Sequence, residues 1–138
     1  MENYTLLLIK PNATAKNKIG EILKIMEDHG FVIEALKMMI LDDEVTSRFY
    51  AEHKGKPFYE GLVKFMHSGK TVAAVLKREN AILELRKLVG DTDPEKAEAG
   101  TIRRLYGETV RMNAVHASDS VENAKREISI IFPDFFRK

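Results

Sequence analysis

Residues 71–90, TVAAVLKRENAILELRKLVG, contain an apolar run followed at once by an amphipathic one. TVAAVL (71–76) is short, apolar and rich in β-compatible residues, which predicts a buried strand. NAILELRKLVG (80–90) places apolar residues at helical spacing and ends at Gly90, a typical helix stop. A strand joined to a helix by a short polar turn is the repeating unit of folds that mix the two.

The same unit precedes this stretch. YTLLLIK (4–10) predicts a first strand that ends at Pro11, which has no N–H to donate to a sheet. Residues 16–30 place apolar residues at helical spacing and predict a helix, and FVIEALKMMIL (31–41) predicts a second strand.

Two further helices are expected between the second and third strands. EVTSRFYAEH (44–53) follows Asp42 and Asp43, either of which can cap a helix. PFYEGLVKFMHSG (57–69) begins with Pro57, a residue that is favoured in the first helical turn.

The chain closes with one more strand and helix. MNAVH (112–116) predicts a fourth strand, and DSVENAKREISIIF (119–132) predicts a helix, with Asp119 as its N-cap and Glu122 completing a capping box. Strands interleaved with helices in this order favour an α/β sandwich with helices over one face of the sheet. No Pro/Gly-rich linker or repeat divides the sequence, so a single domain over 1–138 is expected.

Composition excludes several classes of function. The 138 residues include no cysteine, which excludes disulfides, thiol catalysis and the usual zinc frameworks and fits a reducing compartment. The formal net charge of +1 provides no general attraction for nucleic acid or an anionic membrane. The N-terminal apolar run is too short for a signal peptide or a membrane span, so a cytoplasmic protein without a membrane partner is expected.

His116 is the strongest candidate for chemistry. It is expected at the end of a strand and beside a helix start, where free N–H groups attract anions. Glu127 lies eleven positions later and flanks the apolar stripe of the last helix, so it can lean back towards the strand. A carboxylate that holds one ring nitrogen leaves the other free as a nucleophile. The alternative for Glu127 is a solvated acid or a partner of Lys125 or Arg126.

Two other motifs are weaker than they look. HASDS (116–120) contains the residue types of a hydrolase triad, but three members within so few consecutive residues can hardly reach the relay geometry. HSGKT (67–71) resembles the end of a Walker A loop, yet Lys64 stands where that motif needs a glycine. The stretch 91–111 has weak periodicity, and loops of this length in compact domains are usually functional.

NAVHASDSVENAKREI (113–128) closely resembles the signature of the nucleoside diphosphate kinase family. The likeness begins at YTLLLIKPNA (4–13), passes through GTIR (100–103) and covers nearly the whole chain. It implies a ferredoxin-like sandwich with a four-stranded antiparallel sheet covered by helices. It also implies ping-pong transfer of the γ-phosphoryl group of a nucleoside triphosphate, typically ATP, to a nucleoside diphosphate, with Mg²⁺ and broad base tolerance.

The resemblance also implies roles for individual residues. The catalytic set comprises His116 as the phosphorylated residue, Glu127 and Ser118 as its supports, Tyr50 beside it, and Lys10 at the phosphates and the sugar 3′-hydroxyl. The nucleotide-binding set comprises Phe58 and Val110 on two sides of the base, Arg86, Thr92 and Arg103 at the phosphates, and Asn113 at the ribose. Asp119 would approach a magnesium ion through water, the ion being held mainly by substrate phosphates. A homo-oligomer, either a tetramer or a hexamer, is implied as well.

Some positions depart from the family's usual pattern. Ala117 stands where glycine is usual, Lys70 where proline is usual, and Arg104-Leu105 where a small residue and an aspartate are typical. One alternative class of function remains open from the sequence: a ferredoxin-like module that binds nucleic acid on its sheet or senses a ligand, without catalysis. The strands lack an aromatic-rich RNA-recognition pattern, so no specific nucleic acid is expected.

Overall fold

The computed structural model describes residues 3–137, which form one four-stranded antiparallel sheet with helices on it. The strands lie in the order β2-β3-β1-β4, so the first and last strands of the chain are neighbours. Their bounds are β1 Tyr4–Ile9, β2 Val32–Met39, β3 Thr71–Lys77 and β4 Val115–Ala117. The sheet confirms the predicted fold class, and all four strands fall within the predicted apolar runs or within two residues of them.

Seven α-helices connect and cover these strands within the described residues. They are α1 Pro11–Ala15, α2 Ile19–Asp28, α3 Asp43–Phe49, α4 Tyr59–His67, α5 Ala81–Val89, α6 Ile102–Tyr106 and α7 Val121–Ile131, with a short 3-10 turn over Ala51–His53. Two of them, α1 and α6, are five-residue helices that the sequence did not predict. In residues 3–137 no helix has the length and apolar character needed to cross a membrane.

Helices cover both faces of the sheet, so the expectation of helices on one face was wrong. Alternate residues of β1 enter separate cores: Leu7 and Ile9 pack with α2 and α5, and Leu6 and Leu8 pack with α3, α4 and α7. The physical reason is visible in the composition, because β1 and β3 are continuous apolar runs and not alternating ones. Strands of that kind must be buried on both faces.

The starts of two helices differ from the sequence prediction. The N-cap of α7 is Ser120, whose hydroxyl accepts a hydrogen bond from the Asn123 N–H at 3.0 Å, so Asp119 is not the cap and Glu122 does not complete a capping box. The extended backbone of Ser120 sets this start one residue later than predicted. Helix α4 begins at Tyr59, two residues after Pro57. By contrast, the cap of α3 is Asp42, one of the two aspartates predicted for that role.

The pairing of β1 with β4 brings the two ends of the chain together at the candidate site. Leu8 lies opposite His116, which is therefore in the middle of β4 and not at its end as predicted. Directly after β1, the Lys10 N–H donates to the carbonyl of Ala114 at 2.7 Å. Ala114 has a φ of +77°, a left-handed conformation that is uncommon for alanine and turns the chain sharply into β4.

Candidate active site

The His116 ring is held by a buried carboxylate on α7. Its Nε2 lies 2.8 Å from Oε1 of Glu127, which also accepts a hydrogen bond from the Ser118 hydroxyl at 2.7 Å. The Ser118 oxygen accepts the Leu6 N–H, so the hydroxyl proton is free to point at Glu127. A carboxylate with two donors acts as an acceptor, so Nε2 carries a proton and Nδ1 has a free lone pair.

Packing further restricts this ring. The Phe49 ring meets the imidazole of His116 edge-on, with centroids 5.1 Å apart. Glu127 is 5% exposed because it lies on the buried side of α7, next to Ile128. Arg126 stands 3.9 Å from the other oxygen of Glu127 and donates mainly to backbone carbonyls of α3. The sequence prediction that Glu127 leans back to the histidine is therefore matched by the geometry.

Two arginines engage the backbone on either side of His116. Arg103 donates to the carbonyl of Val115 at 3.0 Å, and Arg86 donates to the carbonyl of Ala117 at 3.3 Å. Arg103 is 6% exposed, also donates to the Gly90 carbonyl, and its Nε has no hydrogen-bond partner within residues 3–137. Burial and the Arg86 charge lower the pKa of Arg103 to about 10, against the opposing effect of Asp91.

Lys10 adds a third cation to this group. Its Nζ donates to Oδ1 of Asn113 at 2.9 Å, and Nδ2 of Asn113 donates to the Thr92 carbonyl at 3.0 Å. Burial and the nearby charge of Arg103 lower the pKa of Lys10 to about 7. Cations crowded together with so few acids destabilise one another, and an anion bound among them would relieve that repulsion.

Tyr50 lies close to the same centre. The residue is buried, it packs edge-on against Phe49, and its hydroxyl has no hydrogen-bond partner in the part of the chain described. Burial, together with the Glu127 charge, raises the pKa of the Tyr50 phenol. The hydroxyl therefore stays protonated and has a hydrogen bond to offer.

The residues predicted to hold the base lie further out. Phe58 is 45% exposed at the start of α4, with the His53 ring 5.3 Å away, and Val110 is 56% exposed. Thr92 is exposed, and it is the backbone carbonyl of this residue that joins the Lys10–Asn113 chain of hydrogen bonds. Within residues 3–137 no hydrogen bond or ring contact joins these side chains to His116.

Asn12 is a site residue that sequence reasoning missed. It is 8% exposed, and its Nδ2 donates to the Met112 carbonyl at 3.0 Å and to Glu108 at 3.2 Å. Lys16 forms a salt bridge with the same Glu108 carboxylate at 3.2 Å. These contacts fasten the segment before β4 to α1, and the partners lie too far apart in sequence for a local pattern to reveal them.

Asp119 is an acid that the charge of Arg86 reaches. It is exposed, and a hydrogen bond from Asn123 lowers its pKa, with a smaller contribution from Arg86, so it is ionised at neutral pH. Residues 3–137 contain no cluster of three or more His, Asp or Glu side chains that could cage a metal. A single exposed carboxylate fits a Mg²⁺ ion whose other ligands are substrate phosphates and water.

Comparison with known proteins decides the family. Residues 3–135 match the family model described as nucleoside diphosphate kinase. The chain belongs to the nucleoside diphosphate kinase family. It is 52% identical over 132 residues to the nucleoside diphosphate kinase of Actinobacillus pleuropneumoniae serotype 5b, with 96% of each chain covered. It is also 46% identical over 134 residues to that of Methanocaldococcus jannaschii, covering 97% of this chain and 96% of the relative.

Solved structures of the family show the same fold. The Aquifex aeolicus nucleoside diphosphate kinase superimposes with a TM-score of 0.91 at 44% identity, covering 94% of each chain. The apo enzyme of Encephalitozoon cuniculi superimposes with a TM-score of 0.94 at 35% identity, covering 99% of this chain and 92% of the other. The function of the chain is accordingly that of a nucleoside diphosphate kinase, a phosphotransferase that binds nucleotides.

In the described residues the sheet also differs from that of a nucleic-acid-binding module. A module of that kind needs an open sheet face for the bases, and both faces of β1 and β3 are buried here. The positions that depart from the family's usual pattern have local contacts. The Ala117 methyl packs in the core, the Lys70 carbonyl accepts from Thr14 at 2.7 Å, and Arg104 donates to the Glu95 carbonyl at 3.0 Å.

Proposed function

We propose that this nucleoside diphosphate kinase acts as a single domain and transfers phosphoryl groups through a covalent intermediate on Nδ1 of His116. Nδ1 attacks the γ-phosphorus of a nucleoside triphosphate, typically ATP. A P–N bond forms, and the bond to the bridging oxygen breaks, so that a nucleoside diphosphate leaves. A terminal oxygen of a second diphosphate then attacks the same phosphorus and releases the imidazole. The observation that carries this proposal is the 2.8 Å contact of Nε2 with Glu127, which leaves Nδ1 as the nucleophile.

Glu127 and Ser118 serve the ring as positioning residues in this proposal. Phosphorylation of Nδ1 leaves the imidazole positively charged, and the buried Glu127 carboxylate stabilises that charge while fixing the ring orientation. Ser118 keeps the carboxylate in place by donating to the same oxygen. The Tyr50 hydroxyl supplies a further hydrogen bond beside the phosphorylated ring.

The cations serve the phosphates. Lys10, Arg86 and Arg103 stabilise the charge that spreads over the phosphoryl oxygens during transfer, which is the main demand of this chemistry. Two observations support these roles. Arg86 and Arg103 donate to the backbone carbonyls on either side of His116, and the charge of Arg103 lowers the pKa of Lys10. Thr92, an exposed residue, adds a neutral hydroxyl donor.

The nucleoside lies between exposed side chains in this proposal. Phe58 stacks on one side of the base and Val110 covers the other, so that bases are held by their flat faces and broad base tolerance follows. Asn113, already bonded to Lys10, contacts the ribose 3′-hydroxyl.

The reaction requires Mg²⁺ in this proposal, with the ion held by substrate phosphates and approached by Asp119 through water. When bound, the ion neutralises phosphate charge and aligns the transferred group. The chain contributes an ionised, exposed carboxylate and cations that hold the remaining phosphate oxygens.

The chain works as a homo-oligomer, a tetramer or a hexamer, in the cytoplasm. The support for assembly is β2, an edge strand on which Val32, Leu36, Met38 and the following Ile40 are all more than half exposed. Exposed apolar edge strands otherwise promote aggregation, and pairing with a second copy would cover them. The cytoplasmic assignment rests on the absence of cysteine from the sequence, which suits a reducing compartment.

A labelling experiment tests the central proposal. Incubation with γ-labelled ATP and Mg²⁺ should give an acid-labile, base-stable phosphoprotein, and His116→Ala should abolish both the label and transfer to GDP. His29→Ala is the matched control, because His29 lies on the surface and its ring is hydrogen-bonded to the Ile25 carbonyl, away from His116. Label that survives His116→Ala, or that disappears with His29→Ala, would contradict the assignment.

A further inference from the structure

Arg111 lies on the segment between α6 and β4, and its guanidinium rests against Gly61 of α4. A Cβ atom at position 61 would lie 2.7 Å from Nη1 of Arg111 and closer still to Cζ and Nη2. Real Cβ atoms do not approach other atoms that closely, so a larger residue at position 61 would displace this flexible, exposed side chain from its place against α4. The arginine therefore bridges α4 and the segment that leads into β4.

The bridge lies beside the two residues proposed to hold the base. Phe58 precedes Gly61 by three positions and Val110 directly precedes Arg111. Both side chains are exposed, at 45% and 56%, and the contact at Gly61 brings their two chain segments together. The Arg111 guanidinium thus lies at the outer rim of the proposed base slot.

The Arg111 guanidinium can donate hydrogen bonds to a base at the rim of the slot. Arginine carries five N–H donors and no acceptor. Arg111 is exposed, and within residues 3–137 its N–H donors form no hydrogen bond or salt bridge with another residue. A donor-only group pairs with a carbonyl oxygen on a base edge and is mismatched with an exocyclic amino group.

We propose that Arg111 is a specificity-determining residue that donates to the exocyclic carbonyl of the base. It favours 6-oxopurine and 4-oxopyrimidine nucleoside diphosphates over their 6-amino and 4-amino counterparts. The inference rests on the proposed function, because it requires a base between Phe58 and Val110. Stacking still admits every base, so the preference is superimposed on broad tolerance.

Two pairs of acceptors isolate this contact. IDP and ADP share a purine and differ at position 6, while UDP and CDP share a pyrimidine and differ at position 4. Phosphoenzyme made from γ-labelled ATP and Mg²⁺ is freed of nucleotide, mixed with each diphosphate and quenched, and kcat/KM is taken from the loss of label. In Arg111→Ala the IDP/ADP and UDP/CDP ratios should each fall by about three- to tenfold, the effect of one exposed charge-assisted hydrogen bond.

Further variants separate recognition from structure. Gly61→Ala keeps the arginine but fills its space, and Arg111→Gln keeps a polar side chain that can present either a donor or an acceptor. Both should lower the two ratios in the same direction as Arg111→Ala. Arg104→Ala is the control, since it removes an equal charge from an exposed arginine whose partner is the Glu95 carbonyl, and its ratios should match the unmodified enzyme.

The outcomes are distinct. Phosphoenzyme that forms normally but shows unchanged ratios in Arg111→Ala overturns the inference and leaves the proposed function intact. Ratios that fall as far in Arg104→Ala as in Arg111→Ala also overturn it, because the cause would then be general charge and not a contact. Failure of the unmodified chain to form phosphoenzyme overturns the proposed function and the inference with it.

Discussion

Nucleotide binding should take up a proton at alkaline pH, because Lys10 is buried among other cations. Burial and the Arg103 charge lower the pKa of Lys10 to about 7, so at pH 8 about one tenth of the free protein carries this proton. Phosphate oxygens next to Nζ favour the ammonium form. Binding of each nucleotide should therefore be accompanied by uptake of about 0.9 proton at pH 8. Above the Lys10 pKa, the nucleotide affinity should fall about tenfold, or roughly 1.4 kcal/mol, per pH unit.

Titration calorimetry measures this uptake directly. Mg²⁺–ADP is titrated into unphosphorylated enzyme at pH 8 in buffers of different ionisation enthalpy, where the diphosphate is fully ionised and no transfer occurs. The slope of binding enthalpy against buffer enthalpy gives the number of protons. Lys10→Met is the control, and its slope should lose nearly the whole contribution.

The same lowered pKa predicts a change in folding stability without any ligand. Between pH 7 and the ordinary lysine pKa of 10.5, the unfolded chain holds more protons at this position than the folded protein. The free energy of unfolding should therefore rise with pH in this window, by about 2 kcal/mol from pH 7 to pH 9 relative to Lys10→Met. Buffer-independent binding enthalpies, together with parallel stability curves for the two proteins, would refute the reasoning.

Two further perturbations address the ring support and the sheet edge. Glu127→Gln retains an acceptor oxygen and loses the charge, so phosphorylation of His116 should slow by about tenfold. Glu127→Ala loses both and should slow phosphorylation by about a hundredfold or more, with the fold intact by circular dichroism. An unaltered rate in quench-flow measurements would mean that the acid does not orient the ring. The double variant Leu36→Lys, Met38→Lys places charges on the exposed face of β2 and should give monomers in light scattering. Leu83→Lys is the control, because Leu83 lies on α5 and is similarly exposed, at 49%, and this variant should leave the molar mass unchanged.

Local sequence patterns predicted the main elements because those elements are decided locally. The apolar runs of β1 and β3, the helical spacing of α5 and the Asp42 cap are each complete within a few residues. Helices α1 and α6 have five residues each, too few for a periodicity to appear. Asp119 and Ser120 are both good caps, and the choice between them depended on the backbone conformation at Ser120, which no composition reveals.

The candidate site was only partly predictable for a related reason. The pairing of His116 with Glu127 followed from one helix face, and the distance between the atoms agrees with it. The contact between Lys10 and Asn113 joins residues 103 positions apart and exists only because β1 lies beside β4. The roles of Phe58, Val110 and Thr92 came from resemblance to a family, and they stay predictions.

The adjacency of β1 and β4 also governs when activity can arise during synthesis. During synthesis β1 leaves the ribosome well before the strand that carries His116 and the helix that carries Glu127. Until both have docked, the imidazole lacks the Glu127 carboxylate that holds it, so under the proposed mechanism a nascent chain that lacks α7 should not become phosphorylated on His116. Kinase activity in this protein therefore requires that β4 and α7 have both been synthesised and have folded onto β1.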